Sequence, residues 1–110
     1  MITETYNIIA QSAPLATTLT DLYTVPASTQ VVISSIVVCN RGSTNTTFRI
    51  SLAPLGAVDA TSQYLYYDVP LSKNNTFIAT IGITLTATDI VRVYAGNANC
   101  TFTILGTKIT

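Results

Sequence analysis

The acidic side chains are the first candidates for chemistry, because paired carboxyl groups can act as general acid and base. The sequence contains Glu4, Asp21, Asp59, Asp68 and Asp89. A glycosidase needs two carboxyl groups roughly 5 to 9 Å apart across a sugar bond. Asp21 and Asp89 stand at predicted strand starts or turns, and Asp59 stands in a predicted loop. We therefore expect solvated turn carboxylates and no acid–base pair.

Nucleophilic catalysis by a hydroxyl group is also poorly supported, although the chain contains 20 Thr and 8 Ser. Such a nucleophile needs an activating base, and the sequence has no His. Lys73 and Lys108 could replace it, but they stand in a predicted turn and near the C-terminal end. We predict that the protein is not an enzyme, with no catalytic, cofactor-binding or metal residue and no cofactor.

Two cysteines, Cys39 and Cys100, each fall in a predicted strand. A bridge between neighbouring strands is geometrically conceivable, but the chain shows no secretion signal, so we favour two buried thiols. Two Cys without any His give too few ligands for a typical zinc site.

The most concentrated aromatic group is Tyr64, Tyr66 and Tyr67. Tyr rings can stack on sugars or bases, and Tyr is also enriched in protein interfaces. Strand alternation would place Tyr64 and Tyr66 on one face and Tyr67 on the other, together with Leu65. We favour core and interface roles, and carbohydrate binding is the alternative. The chain has no Trp, the side chain that sugar platforms favour.

Charge is sparse and balanced, with five basic and five acidic residues and a net charge of zero. The basic residues are scattered, so no stripe exists that would bind a nucleic-acid backbone or an anionic membrane. Thr replaces charge on predicted outward positions such as Thr47, Thr101 and Thr103. A neutral surface lacks the usual barrier to self-association, and we expect a homo-oligomer, with a trimer as the first expectation.

The ends and apolar runs of the chain bear on its location. No stretch approaches the ~20 apolar residues of a membrane-spanning helix. Residues 1–10 include Glu4 and no basic residue, unlike a secretory signal peptide. We expect a protein that is made in a cytoplasm and stays there, or is packaged into a particle assembled there.

Short segments with β patterning recur about every ten residues, separated by turn signals. In residues 46–53, Phe48, Ile50 and Leu52 share one face, whereas near Ser34 and Ser35 the alternation slips, which indicates a bulge. The segments cover residues 5–11, 21–25, 30–40, 46–53, 63–69, 76–87 with an interruption at Gly82, 90–95 and 100–105.

This pattern predicts an all-β protein: a single antiparallel β-sandwich of seven to eight strands, jelly-roll or immunoglobulin-like. Residues 21–110 would form the sandwich domain. Residues 1–20, which are rich in small residues around Pro14, would form an N-terminal strand or extended arm.

Four stretches of the chain carry a family resemblance. They read LYTVPASTQVVISSIVVCNRG (22–42), TTFRISLAPLGA (46–57), QYLYYDVPL (63–71) and IGITLTATDIVRVYA (81–95). Together they resemble small β-rich structural proteins of tailed bacteriophages, especially phages of cyanobacteria and other aquatic bacteria. These are scaffold motifs, and they transfer no functional residue.

The resemblance implies a virion accessory protein that is assembled in the host cytoplasm and binds other virion proteins, such as capsid or tail proteins. Our first expectation is a capsid decoration or cement protein. The alternative is a component of the tail, baseplate or fibre, with adhesion to host carbohydrate as a further role.

Overall fold

Nine β-strands and two short 3₁₀ turns form the regular structure of the computed structural model, which describes residues 2–110. The two turns, Pro54–Gly56 and Thr61–Gln63, lie in the connection between the fourth and fifth strands. The strands are β1 (Glu4–Ser12), β2 (Thr20–Thr24), β3 (Gln30–Asn40), β4 (Thr46–Ala53), β5 (Tyr64–Leu71), β6 (Thr76–Ala79), β7 (Ile83–Leu85), β8 (Ile90–Ala95) and β9 (Cys100–Ile109).

The strands form two antiparallel sheets packed face to face. The first sheet has the order β1-β9-β3-β6, with β7 also paired to β3, and the second has the order β2-β8-β4-β5. β6 and β7 pair with successive parts of β3, so they are one strand interrupted around Gly82. This interruption gives nine strands where the sequence predicted seven to eight.

Strand order distinguishes the two predicted types of sandwich. β1 pairs with β9, β2 with β8, β3 with β6 and β7, and β4 with β5. The chain is thus a long antiparallel hairpin wrapped over two sheets, which is the jelly-roll arrangement. The predicted all-β antiparallel sandwich is confirmed, in its jelly-roll form.

The core lies between the sheets and is built from the alternate residues of the long strands. Phe48 of β4 stands at its centre, with ring-centroid distances of 5.1 Å to Phe77 and 6.3 Å to Phe102. The predicted inward positions Phe48 and Ile50 are fully buried, and Leu52 is half-buried. Aliphatic side chains of β3, β8 and β9 fill the remaining space.

The predicted bulge in β3 is present. The pairing of β3 with β9 shifts between Ile33 and Ser35, so Ser34 is the extra residue, and its hydroxyl donates to the carbonyl of Leu105 at 3.1 Å. Gly106 lies opposite Ile33, where a Cβ would collide with the carbonyl oxygen of Val32. The bulge therefore requires glycine at position 106.

The N-terminal segment joins the first sheet. β1 forms its edge by pairing with β9, with Glu4 opposite Ile109 and Ser12 opposite Phe102. Met1 of the predicted 1–20 arm lies outside the described residues. The division into an arm (1–20) and a sandwich domain (21–110) stays a prediction. Among the described residues, no helix has the length and apolar character needed to cross a bilayer.

Candidate functional site

Three carboxylates serve local structure. Both carboxylate oxygens of Asp89 accept backbone N–H bonds, one from Leu55 at 2.8 Å and the other from Thr86 at 2.9 Å. Asp59 accepts the Tyr64 hydroxyl at 3.3 Å. The carboxylate of Glu4 accepts the Tyr6 hydroxyl at the same distance, 3.3 Å. These contacts hold a turn, a loop and a strand end, and none of them faces an activated nucleophile.

The other two carboxylates form ion pairs with arginines. Arg92 Nε donates to Asp21 at 2.9 Å, and Arg92 Nη1 donates to the carbonyl of Ala57 at 2.7 Å, which ties the β4–β5 connection to β8. Arg49 Nε donates to Asp68 at 2.6 Å. Asp68 lies in β5, within the strand predicted for residues 63–69.

Arg49 is also stacked between two aromatic rings on the outer face of the second sheet. Its guanidinium carbon lies 4.1 Å from the Tyr67 ring centroid and 4.3 Å from that of Tyr94. The hydrogen bond that Arg49 donates to Asp68 raises the pKa of Arg49, as does the charge of that carboxylate. We call Arg49, Tyr67, Asp68 and Tyr94 the arginine–tyrosine cluster.

A bulge between β4 and β5 creates this cluster. Phe48 pairs with Val69 and Ile50 with Tyr66, so both Tyr67 and Asp68 lie opposite Arg49. Asp68 adopts φ 50°, in the left-handed region. Two residues of β5 thereby reach one residue of β4, and one supplies an aromatic ring while the other supplies a carboxylate.

The prediction that Tyr64 and Tyr66 share a face is wrong. Tyr66 points into the core, 5.3 Å from Phe77, whereas Tyr64 and Tyr67 meet on the outside at 5.0 Å with ring planes at 87°. The β4–β5 register shifts twice, and each shift reverses the alternation that the prediction assumed. The tyrosines are therefore divided between the core and the outer surface.

Tyr64 and Tyr67 line a shallow open hollow of about 280 Å³ together with Thr61. Burial, followed by the hydrogen bond to Asp59, raises the pKa of Tyr64. The hollow offers an aromatic edge and face to a ligand, with a carboxylate beside them. It could hold a sugar ring by contact but offers no group that would break a bond.

The outer face of the first sheet is nearly free of charge, because Glu4 is the one charged side chain among the outward positions of its described strands. Glu4 lies opposite Ile109 and points outward, at a corner of this face. Lys108 lies opposite the buried Val31, so it points to the inner side of the sheet. Ile78 and Ile8 are 61% and 55% exposed. The outward positions of this face are Glu4, Tyr6, Ile8 and Gln11 of β1, Thr101, Thr103, Leu105, Thr107 and Ile109 of β9, Gln30, Val32, Ser35, Val37 and Cys39 of β3, Thr76 and Ile78 of β6, and Thr84 of β7.

The two cysteines are free thiols on neighbouring strands. Cys39 lies opposite Thr101 and Cys100 lies opposite Asn40, so their side chains point to opposite faces of the sheet. Cys100 is buried, as predicted, and burial raises the pKa of its thiol. Cys39 is half-buried, so the prediction of two buried thiols is wrong for it. No group of three or more potential metal ligands occurs within residues 2–110.

Asn40 is a structural residue that the sequence did not reveal. It is fully buried at the end of β3. Its amide donates to the carbonyls of Thr44 at 2.9 Å and Ser72 at 3.3 Å, and its side-chain oxygen accepts the Gly42 N–H at 2.9 Å. One side chain thus holds two loops at the same end of the sandwich, and only the three-dimensional pairing brings those loops together.

No protein-family model and no curated protein sequence matches the chain. Solved structures do share its fold. One is a chain of the acidic stable capsid structure of Helicobacter pylori bacteriophage KHP30, with a TM-score of 0.55 and 13% identity, covering 100% of this chain and 94% of that one.

A second is a chain in the structure of infectious bursal disease virus Gx strain, with a TM-score of 0.56 and 7% identity. The match covers 99% of this chain but 32% of that one, so this chain corresponds to about a third of the larger protein. At these identities the similarity shows a shared fold alone, the jelly roll.

Proposed function

We propose that this chain is a non-enzymatic structural protein of a bacteriophage virion. The observation that carries the proposal is the outer face of the first sheet, where Thr and aliphatic side chains predominate and Glu4 at one corner is the one charged side chain among the outward strand positions. The jelly-roll fold, shared with chains of two viral particles, supports the same class of function.

The chemistry of this face suits adhesion. Burying a charged side chain costs desolvation energy that its partner must offset, whereas Thr, Val and Ile can be covered at little cost. In a particle with many copies, modest affinity at each contact is sufficient because avidity multiplies it. The working part of the protein is then its surface.

Within the virion, we place the chain first as a capsid decoration or cement protein. It acts as a homo-oligomer, with a trimer as the expected form, and it binds capsid proteins. The N-terminal segment 1–20 serves as a contact arm, which the exposure of Ile2 (77%), Tyr6 (77%) and Leu15 (73%) supports.

Fractionation of purified particles tests this placement. Particles are dissociated into capsids and tails, and each fraction is probed for the chain by mass spectrometry. A decoration protein follows the capsid fraction and is absent from free tails. If the chain is found in neither fraction, a virion role is wrong.

A tail, baseplate or fibre component that adheres to host carbohydrate is the second candidate. The hollow between Tyr64 and Tyr67 is the observation that favours it. A glycan array probed with the wild type, Tyr67→Ala and the control Tyr6→Ala tests it. Binding that only Tyr67→Ala abolishes would support adhesion, and the absence of binding by all three would contradict it.

A further inference from the structure

β1 is less protected against pairing with another strand than the other sheet edges are. β2 is only five residues long and has a register shift. β5 contains Pro70 and the shifts beside Asp68. β6 and β7 are four and three residues long. Short strands, Pro and bulges are the usual protections of an edge.

β1, by contrast, presents a regular stretch from Glu4 to Ile8, with no Pro, no Lys and its register shift only after Ile8. All five of these residues are exposed. Those on the inward side, Thr5 and Asn7, are as exposed as their neighbours, so this part of β1 extends beyond the cover of the second sheet. Its hydrogen-bonded partner strand is β9.

The alternation of hydrogen-bonded and non-hydrogen-bonded pairs between β1 and β9 shows which backbone groups of β1 point away from β9. Thr3 and Thr110 exchange both backbone bonds, at 2.8 and 2.9 Å. In an antiparallel pair such two-bond positions alternate, so Thr5 and Asn7 also bond to β9. The N–H and C=O groups of Glu4, Tyr6 and Ile8 therefore point to the open edge.

We propose that this edge pairs antiparallel with β1 of a second copy about a two-fold axis at Asn7. This register sets Tyr6 of each copy opposite Ile8 of the other, an aromatic–β-branched pair of the kind that stabilises sheets. Regular pairing ends at the register shift after Ile8, and the two Glu4 side chains are about six residues apart along the strand, roughly 20 Å.

Charge and shape favour a second copy as the occupant. Repulsion disfavours registers centred on Glu4 or Thr5, which bring the two Glu4 carboxylates together, and the Tyr6–Ile8 pair favours the register centred on Asn7. Tyr6 and Ile8 lie on the outer face of the first sheet, and the pairing joins the uncharged faces of two copies into one surface. The inference rests on the proposed function and deepens it by naming the surface through which two copies bind each other. A two-fold contact of this kind would form a dimer, or a dimer of trimers.

Matched lysine variants test the contact in the full-length chain. Ile8→Lys places charge at the edge, and Ile78→Lys makes the same change on the same face at the opposite edge, where the residue is similarly exposed (55% and 61%). By size-exclusion chromatography with light scattering, Ile8→Lys is expected to halve the molar mass of the assembly, and Ile78→Lys to leave it unchanged. Circular dichroism verifies that both variants fold.

Cross-linking tests the register independently. The variants are made in a Cys39→Ser background. In the proposed register, the new cysteine of Asn7→Cys lies opposite the same cysteine of the other copy, in a non-hydrogen-bonded pair with about 4.5 Å between Cα atoms. This separation permits a disulfide. Thr5→Cys, equally exposed on the same side of β1, lies opposite Ile9 instead. Oxidation should join Asn7→Cys into disulfide-linked dimers and leave Thr5→Cys without a covalent cross-link. Cross-linking at neither position, or equally at both, would overturn the proposal.

The outcomes also separate this inference from the proposed function. If the wild type assembles but Ile8→Lys keeps its mass, β1 is not the contact, and the virion role stands. If the wild type is a monomer and Ile8→Lys fails to enter virions, β1 binds a different virion protein, and pairing between copies is wrong. A chain that is absent from virions contradicts the proposed function itself.

Discussion

At the scale of single residues, Arg49 shows how one side chain can organise a largely uncharged surface. Its guanidinium meets two tyrosine rings and a carboxylate at the same time. Only a flat cation with several donors can do so, because stacking requires a plane and the carboxylate requires a fork. The arginine–tyrosine cluster is thus a brace across β8, β4 and β5.

Replacing Arg49 by Lys tests this role. Lysine keeps the charge but cannot stack on both rings or bind Asp68 through two nitrogens, so we expect a loss of about 1 kcal/mol in the free energy of unfolding. Urea denaturation measures the loss, and Arg41→Lys in an exposed loop is the control. Equal stability of the two variants would mean that the cluster contributes little.

The two thiols should differ in reactivity. Cys100 is fully buried and its raised pKa keeps it protonated, whereas Cys39 is half-buried on an outer face. A thiol reagent at pH 8 should modify Cys39 and leave Cys100 until the protein unfolds, as mass spectrometry of the labelled peptides would show. Labelling of Cys100 at the same rate in the folded protein would contradict the described core.

At the scale of elements, bulges decide where side chains point. Along most of β4 and β9 alternate residues face the core, and Phe48 and Ile50, predicted to share a face, are both buried, as are Phe102 and Ile104. In β5 two register shifts intervene, and alternation alone misplaces the tyrosines. A bulge depends on the partner strand, so the order of residues in β5 does not reveal it.

The bulge in β3 gives a sharp test through glycine. A Cβ at position 106 would collide with the backbone of β3, whereas a Cβ at position 82 would meet nothing within 4 Å. Gly106→Ala should therefore lower the free energy of unfolding by about 1 to 3 kcal/mol. Gly82→Ala should be neutral or slightly stabilising.

Urea denaturation of both glycine variants measures the difference. If Gly106→Ala were as stable as Gly82→Ala, the close approach of β9 to β3 at the bulge would be wrong. Both variants add the same methyl group, at position 106 inside β9 and at position 82 in the connection between β6 and β7.

At the scale of the whole molecule, the sequence predicted the class of fold but not its topology. Turn spacing and alternation are local, so a two-sheet antiparallel sandwich follows from them. The choice between jelly roll and immunoglobulin-like order depends on pairings such as β1 with β9, which join opposite ends of the chain.

The surface was also predictable in part, because strand alternation is a local pattern. Outward Thr101 and Thr103 follow from the alternation in β9, and they lie on the outer face of the first sheet. The arginine–tyrosine cluster and the loop contacts of Asn40 did not follow, because distant strands and loops assemble them. The open edge of β1 likewise depends on strand order, which sequence patterns do not contain.

The central claim is that this protein acts through its surface, in many copies per particle. The number of copies per virion tests this claim most directly. Quantitative mass spectrometry of purified particles, calibrated against the major capsid protein, provides it. We expect hundreds of copies per particle, since a decoration protein covers a shell by repeated contacts. Tens of copies or fewer would move the chain to the tail, neck or baseplate, and its absence from particles would contradict a virion role.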